Sequence, residues 1–277
     1  MKCRKFFSIP ILSVLILMGF VYYVTVFVFI HDWIGLQSSA GFLNAIIFTF
    51  LAFCCLFSFS VCVLTDPGHV PASYVPDVED AAISNQQLKK DANGVQLRLC
   101  GNCSTYKPPR AHHCRVCRSC VLRMDHHCLW INNCVGYWNY KAFFVLIFYA
   151  TMTTLYSVVI IIGCACQKDS YQGQTPLKIF YILCGTMMIA LSVTLGTLLG
   201  WHVYLTAHNM TTIEYYEGIR AAWLARKSGQ NYRHPFDLGV YQNITLVLGP
   251  NMLKWLSPSS LSYLKDGTSF PTLRDSS

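Results

Sequence analysis

The chain has 277 residues, of which 53% are hydrophobic, 14% aromatic and only 12% charged, with 21 Lys and Arg against 13 Asp and Glu. That balance excludes an ordinary soluble domain and a disordered chain, and it is the composition of a membrane protein. The net charge of +8 suits a surface that faces anionic headgroups or a phosphorylated cofactor.

Four stretches lack Asp, Glu, Lys and Arg: Phe6–Ile30, Phe42–Leu64, Phe143–Cys166 and Phe180–Trp201. About twenty helical residues at about 1.5 Å each cross a hydrocarbon core of about 30 Å, so four transmembrane helices are predicted. The first follows Met1-Lys2-Cys3-Arg4-Lys5 and reads as an uncleaved anchor rather than a signal peptide. Cys3, beside basic residues, is a candidate for acylation. Lys2, Arg4 and Lys5 precede helix one, nine Lys or Arg lie between helices two and three, and seven follow helix four. The loops 31–41 and 167–179 hold none and two, so the positive-inside rule puts both termini and the segment between helices two and three in the cytosol.

After helix two, Asp66-Pro67-Gly68 forms a turn, and Pro71, Pro76 and the polar stretch Asp77–Gly94 read as a linker. Val95–Leu99 alternates apolar and polar residues and predicts a short strand leading into Cys100. Seven cysteines and four histidines then fall between Cys100 and Cys134. The spacing is Cys100-x2-Cys103, Cys114-x2-Cys117-x2-Cys120, Asp125-His126-His127-Cys128 and Cys134, and repeated C-x2-C pairs with intervening His are the sequence form of tetrahedral zinc sites. In the reducing cytosol such thiols bind metal or react rather than form disulfides. Small hairpins held by metal are expected, because so short a segment cannot bury an adequate core.

Cys134–Lys141 leads tightly into helix three, with Trp138 and Tyr140 placed as interfacial anchors. Beyond helix four, Thr211-Thr212-Ile213-Glu214 fits a capping box for a helix through Ile213, Tyr216, Ile219 and Trp223. Asn243–Gly249 with the apolar residues to Leu256 reads as a docking segment or a membrane-interface helix.

A structural zinc site takes three or four thiolates, with His making up the rest. Two sites of three Cys and one His use six cysteines and leave one. Cys128 is the natural remainder, because Asp125 and His126 supply a base for its proton and a carboxylate to orient that base. The competing readings are a zinc-stabilised membrane scaffold, a nucleic-acid finger and a transporter. The fingers' terminal His-x3-5-His is missing and the run lies between membrane spans, so no nucleic acid is expected. The four apolar stretches also lack the ionisable residues that ion pathways use.

These motifs, in this order, resemble the DHHC family of protein S-acyltransferases: the four-helix topology, the cysteine-rich segment from Leu99 to Phe143, Asp66-Pro67-Gly68, Thr211-Thr212-Ile213-Glu214 and the Asn243 segment. The resemblance implies an all-α multi-pass membrane protein with a cytosolic domain of small β-hairpins holding two structural zinc ions. One zinc would take Cys100, Cys103, His113 and Cys120, the other Cys114, Cys117, His127 and Cys134. It implies palmitoyl-CoA as donor, Cys128 as nucleophile, His126 as base and Asp125 as its orienter, in a ping-pong transfer to protein substrates with cytosolic juxtamembrane cysteines. Lys107, Arg110 and His112 would face the phosphates of coenzyme A. Phe143, Leu146 and Thr153 would face the acyl chain among the helices. Thr211 and Thr212 would support the site, Thr212 by holding Asp125, and Asn243 would tether the final segment. The organisation expected is an N-terminal tail with helices one and two (1–65), a linker (66–98), the zinc domain (99–142), helices three and four (143–204) and a cytosolic segment (205–277). The membrane would be Golgi, endoplasmic reticulum, another endomembrane or the plasma membrane. Leu129 stands where most members have Pro, which removes a fixed φ beside Cys128.

Overall fold

The computed structural model describes residues 8–75, 98–167, 175–259 and 263–273. Cys3, the basic residues at 2–5, the linker 77–94 and the strand residues 95–97 lie outside the described residues.

The chain divides into two compact units, Met1–Val63 with Ala142–Val203, and Leu64–Lys141 with Tyr204–Ser277. Four helices are long and apolar enough to cross a membrane: α1 (Ile9–Trp33), α2 (Ser39–Leu64), α3 (Tyr140–Gln167) and α4 (Thr175–Ala207). They extend beyond the uncharged stretches in sequence, so Asp32, Lys141 and Lys178 become helix-end residues. Charges tolerated at the ends of a span do not shorten it, because they reach the interface.

In the first unit the core is apolar, built on Val24, Phe29, Ile30, Phe48, Ile161 and Met188. Most of its polar groups are satisfied locally or in pairs, as a lipid-embedded bundle favours, with Ser8 and Ser192 hydroxyls the exceptions. Thr25 Oγ1 donates to the Val21 carbonyl at 2.7 Å and lies 2.8 Å from Ser157 Oγ, and Tyr156 donates to Asn44 Oδ1 at 2.6 Å. Gly163 is required for packing, since a Cβ there would meet the Trp33 ring at 2.1 Å.

The second unit carries three antiparallel hairpins of three-residue strands: β1 (Arg98–Cys100) with β2 (Thr105–Lys107), β3 (His112–Cys114) with β4 (Ser119–Val121), and β5 (His126–Cys128) with β6 (Asn133–Val135). The hairpins repeat every fourteen residues. Cys100, Cys114 and Cys128 are equivalent, as are Cys103, Cys117 and Ile131, and the turn residues Ser104, Arg118 and Asn132 all have φ near +50°, at 53°, 54° and 46°. The Asp66-Pro67-Gly68 segment straps this array. Gly68 accepts from Leu122 N at 2.7 Å, Pro67 accepts from Trp138 N at 3.2 Å, and Val70 N donates to Cys120 at 3.0 Å. Gly68 has φ +99°, and a Cβ would sit 2.5 Å from Trp138 Cδ1, so both the conformation and the space demand glycine.

The hairpin core is small: Cys114, Val121, Met124 and Cys134, with Ile213 packed against it. Ile213 belongs to α5 (Thr212–Lys227), which is followed by α6 (Val240–Leu248). Two sequence expectations change here. Tyr140 is 1% exposed and lies under the Arg123 guanidinium, so it is a core residue and not an interfacial anchor. Of the four apolar positions expected to face inward on α5, Ile213 packs against the hairpins, while Tyr216, Ile219 and Trp223 are more than half exposed. This helix is held at its N-terminus, where Thr211 completes a capping box with Glu214.

Candidate active site and metal clusters

Each metal cluster joins two successive hairpins. Cys100 and Cys103 of the first turn meet His113 and Cys120 of the second hairpin, and Cys114 and Cys117 meet His127 and Cys134 of the third. The thiols of Cys100, Cys103 and Cys120 lie 3.5, 3.3 and 3.8 Å from His113 Nδ1. Those of Cys114, Cys117 and Cys134 lie 3.6, 3.4 and 3.5 Å from His127 Nδ1. A zinc tetrahedron with bonds of about 2.3 Å to sulfur and about 2.05 Å to nitrogen has S···N edges of about 3.6 Å, so both donor sets fit that ion without rearrangement. Three thiolates and one neutral His fill four positions and leave none open.

The fourteen-residue repeat explains why Cys128 is not a ligand. It stands where Cys100 and Cys114 stand in their hairpins, but the second cysteine of the pair is replaced by Ile131, and among the described residues no further hairpin follows to supply His and Cys. The turn keeps its other property. In the second hairpin Cys117 N donates to Cys114 Sγ at 3.3 Å, and in the third the backbone N–H groups of Ile131 and Trp130 donate to Cys128. Cys128 therefore sits in a knuckle built to hold a thiolate, without the metal. Burial alone would raise its pKa, but the hydrogen bond from His126 and these backbone donors outweigh burial and lower it. Asn132 N closes the turn on the Leu129 carbonyl at 3.0 Å, so the loop is fixed without proline.

His126 Nδ1 lies 2.6 Å from Asp125 Oδ2, and the ring also hydrogen-bonds Cys128. Because Nδ1 is engaged by the carboxylate, Nε2 is the nitrogen left for the thiol. Burial disfavours the imidazolium, yet the bonds to Asp125 and Cys128 prevail and lift the pKa to about 9. Asp125 is 1% exposed and held by Thr212, whose N donates to Oδ1 and whose Oγ1 donates to Oδ2, the oxygen that His126 also uses, each at 2.9 Å. Those donors are the first turn of α5, where unpaired N–H groups and the helix dipole favour an anion. The Asp125–His126–Cys128 line can thus generate a thiolate and shuttle one proton.

A buried polar cluster supports that helix end. Arg110 donates through Nε and Nη2 to the two carboxylate oxygens of Glu214, both at 2.7 Å, and to Asn209 Oδ1 and O at 3.1 and 2.7 Å. Its guanidinium carbon lies 4.5 Å from the centre of the Phe236 ring and 5.0 Å from that of Phe270. Burial works against the Glu214 carboxylate, but Arg110 more than compensates and holds it near 2. Because the folded pKa is depressed, this stabilisation is present above the ordinary carboxylate range and is lost as pH falls toward about 2. Glu214→Gln leaves Arg110 as a buried cation without its counter-ion, and a loss of about 3–5 kcal/mol is expected in denaturant unfolding. Asp125 would lose its Thr212 clamp with the helix end, so the acylation rate should fall with stability.

Asn243 is fully buried in the next layer: Nδ2 donates to Ala207 O and Asp237 Oδ1, both at 2.7 Å, and Oδ1 accepts from Leu238 N at 3.0 Å.

The other expected ligand contacts are distributed differently. Lys107 and His112 are half-buried on β2 and β3, close to Arg98. Burial, then Arg98, pushes the His112 pKa down to about 4. Arg110 is in the buried cluster just described, paired with Glu214, whose charge also acts on His112. Phe143, Leu146 and Thr153 share one face of α3; Phe143 meets His202 edge-on at 5.1 Å, Thr153 is buried and Leu146 is half-buried. Arg98, Arg123, Asn209 and Glu214 were not singled out for these contacts in sequence. The signal for Glu214 was present in its capping box, but Arg110, its partner, is 104 residues away.

Four apolar spans, two clusters able to hold metal and a thiol beside His and Asp are the features of a membrane protein with a candidate cysteine site. The description DHHC palmitoyltransferase matches residues 94–219. The chain is 64% identical over 260 residues to probable protein S-acyltransferase 15 of Arabidopsis thaliana, covering 94% of this chain and all of that one. It is 50% identical over 273 residues to probable protein S-acyltransferase 16 of the same plant, covering 98% and 94%. It is 30% identical over 296 residues to palmitoyltransferase ZDHHC15A of Danio rerio, covering 97% and 85%. The chain belongs to the DHHC palmitoyltransferase family and is an acyltransferase enzyme, not a scaffold.

Proposed function

We propose that this enzyme transfers a palmitoyl group from palmitoyl-CoA to cysteine thiols of membrane-associated proteins through an acyl-Cys128 intermediate. The observation that carries the reading is a buried, metal-free thiol in a thiolate-holding knuckle, hydrogen-bonded to an imidazole that Asp125 orients. In the first half-reaction the Cys128 thiolate attacks the thioester carbonyl, the bond to coenzyme A sulfur breaks, and His126 delivers its proton to that leaving thiolate. In the second, His126 takes the proton of the incoming protein thiol, whose sulfur attacks the acyl carbonyl and releases Cys128. Bond energies are nearly equal on both sides, so proximity and thiolate supply are the main catalytic demands. The metals are read as structural zinc, because each donor set is closed. Lys107 and His112 with Arg98 are read as the face for the coenzyme A phosphates, and the α3 face of Phe143, Leu146 and Thr153 as the acyl-chain contact. Incubation of the purified protein with labelled palmitoyl-CoA should form a hydroxylamine-labile bond to the chain; its absence with both metals in place would end this reading.

The active site is read as cytosolic, where acyl-CoA and reduced thiols are found. Three N-x-S/T sequons, at Asn102, Asn209 and Asn243, lie on that side, and none should carry glycan. Expressed in a glycosylating cell and treated with an endoglycosidase, the chain should show no mass shift. A shift abolished by Asn102→Gln would put the hairpins in the lumen and refute the orientation.

A further inference from the structure

A cavity of about 590 Å³ in the second unit is bounded by residues of the hairpin region, the end of α6 and the segment 263–271. Four cations line it, Arg110, Arg123, Lys141 and Lys265, and no Asp or Glu does among the described residues. Arg110, Arg123 and Lys141 are 3%, 4% and 2% exposed, so the cavity wall carries buried positive charge. Glu214 neutralises Arg110. Arg123 is different: Nη2 donates to the neutral Asn209 Oδ1 at 3.1 Å and its face lies 5.0 Å over the Tyr140 ring, while among the described residues Glu214 and Asp125 act on it through charge without an ion-pair contact. A guanidinium has five N–H donors, and burying it without an anion is costly. A phosphate group supplies the missing charge and acceptors in a geometry that arginine matches.

We propose that this cavity is a binding site for an organic phosphate, held by Arg123 at its wall and by Lys265 at its exposed rim, and separate from the acyl-donor site. An organic ester is favoured over a bare ion by the volume and by the rings of Tyr137, Tyr140, Tyr263 and Phe270 in the lining. Cys128, Lys107 and His112 do not line the cavity but Arg110 does, so the coenzyme A arm of the experiment decides its separation from the donor site. The inference stands whether or not Cys128 is the nucleophile. A phospholipid headgroup and a soluble phosphate ester offer the same chemistry, and the experiment tells them apart.

The full chain, in nanodiscs of phosphatidylcholine, is melted with inositol hexakisphosphate, with phosphatidic acid incorporated in the disc, or with coenzyme A. At saturation one of the first two should raise Tm by roughly 5 °C. Lys265→Glu, an exposed position that does not threaten the fold, should lose at least half of the rise, and Arg123→Gln nearly all of it. A rise with phosphatidic acid alone assigns a membrane source, and one with inositol hexakisphosphate alone a soluble source; either supports the site. No rise with any probe, a full rise retained in Lys265→Glu, or a rise with coenzyme A alone would overturn it.

Discussion

Cys128→Ser is expected to abolish self-acylation, by roughly 10³-fold or more, while the protein keeps both metals and its thermal unfolding is nearly unchanged. The thiol is buried but bonded only to donors that a hydroxyl also accepts, so the fold has little reason to notice the change. The chemistry does, because a serine hydroxyl titrates far above the thiol and is not a thiolate equivalent at neutral pH. Any residual acyl-serine would be an oxyester and resist neutral hydroxylamine, which makes the readout unambiguous. His126→Ala should also slow acylation strongly with both metals retained, because its Nδ1 serves Asp125 and not a cluster. A Cys128→Ser protein that still forms a hydroxylamine-labile bond at another cysteine of the hairpins would transfer the nucleophile's role away from Cys128.

Much of this site is legible in sequence because its chemistry is local. Ligand pairs with two residues between them, and a carboxylate, imidazole and thiol within four positions, fix their own neighbourhood whatever the remainder of the chain does. The four spans are equally legible, since length and apolarity decide them. What sequence hides is partnership over distance. Arg110 reads as a free cation for phosphate until the fold brings Glu214 and Asn209 to it from α5 and the turn before it. Tyr140 reads as an anchor until Arg123 is found stacked on it. The apolar spacing of α5 suggests a buried stripe, yet its cap and Glu214 hold the helix while most of that stripe stays exposed. The fourteen-residue repeat was in the sequence throughout, but its meaning depends on knowing that the three turns share one backbone conformation, a fact carried by positive φ at Ser104, Arg118 and Asn132 and not by residue type.

Removal of one ligand of either cluster should have the largest structural effect of any single change in the second unit. The hairpins have three-residue strands, and two of the four buried residues in their core, Cys114 and Cys134, are ligands of the same cluster. Strands this short have few apolar contacts to replace the metal, so metal affinity, about 10–16 kcal/mol for structural zinc in small modules, is here largely folding free energy. Cys117→Ser is the cleanest test, because Cys117 is exposed and contributes no packing of its own. Its loss should release one zinc and, with it, the register of β5, on which His126 and Cys128 both sit beside the ligand His127. Acylation should disappear with the metal, in contrast to Cys128→Ser, which loses activity alone. Adjacent histidines give the sharpest form of the prediction: His127→Ala should bind one zinc where the parent binds two, and His126→Ala should bind two. Elemental analysis of the four purified variants decides it. Retention of two zincs and full activity in Cys117→Ser or His127→Ala would mean that the hairpins fold by some force other than the metal, and the free status of Cys128 would then need another explanation than its place in the third knuckle.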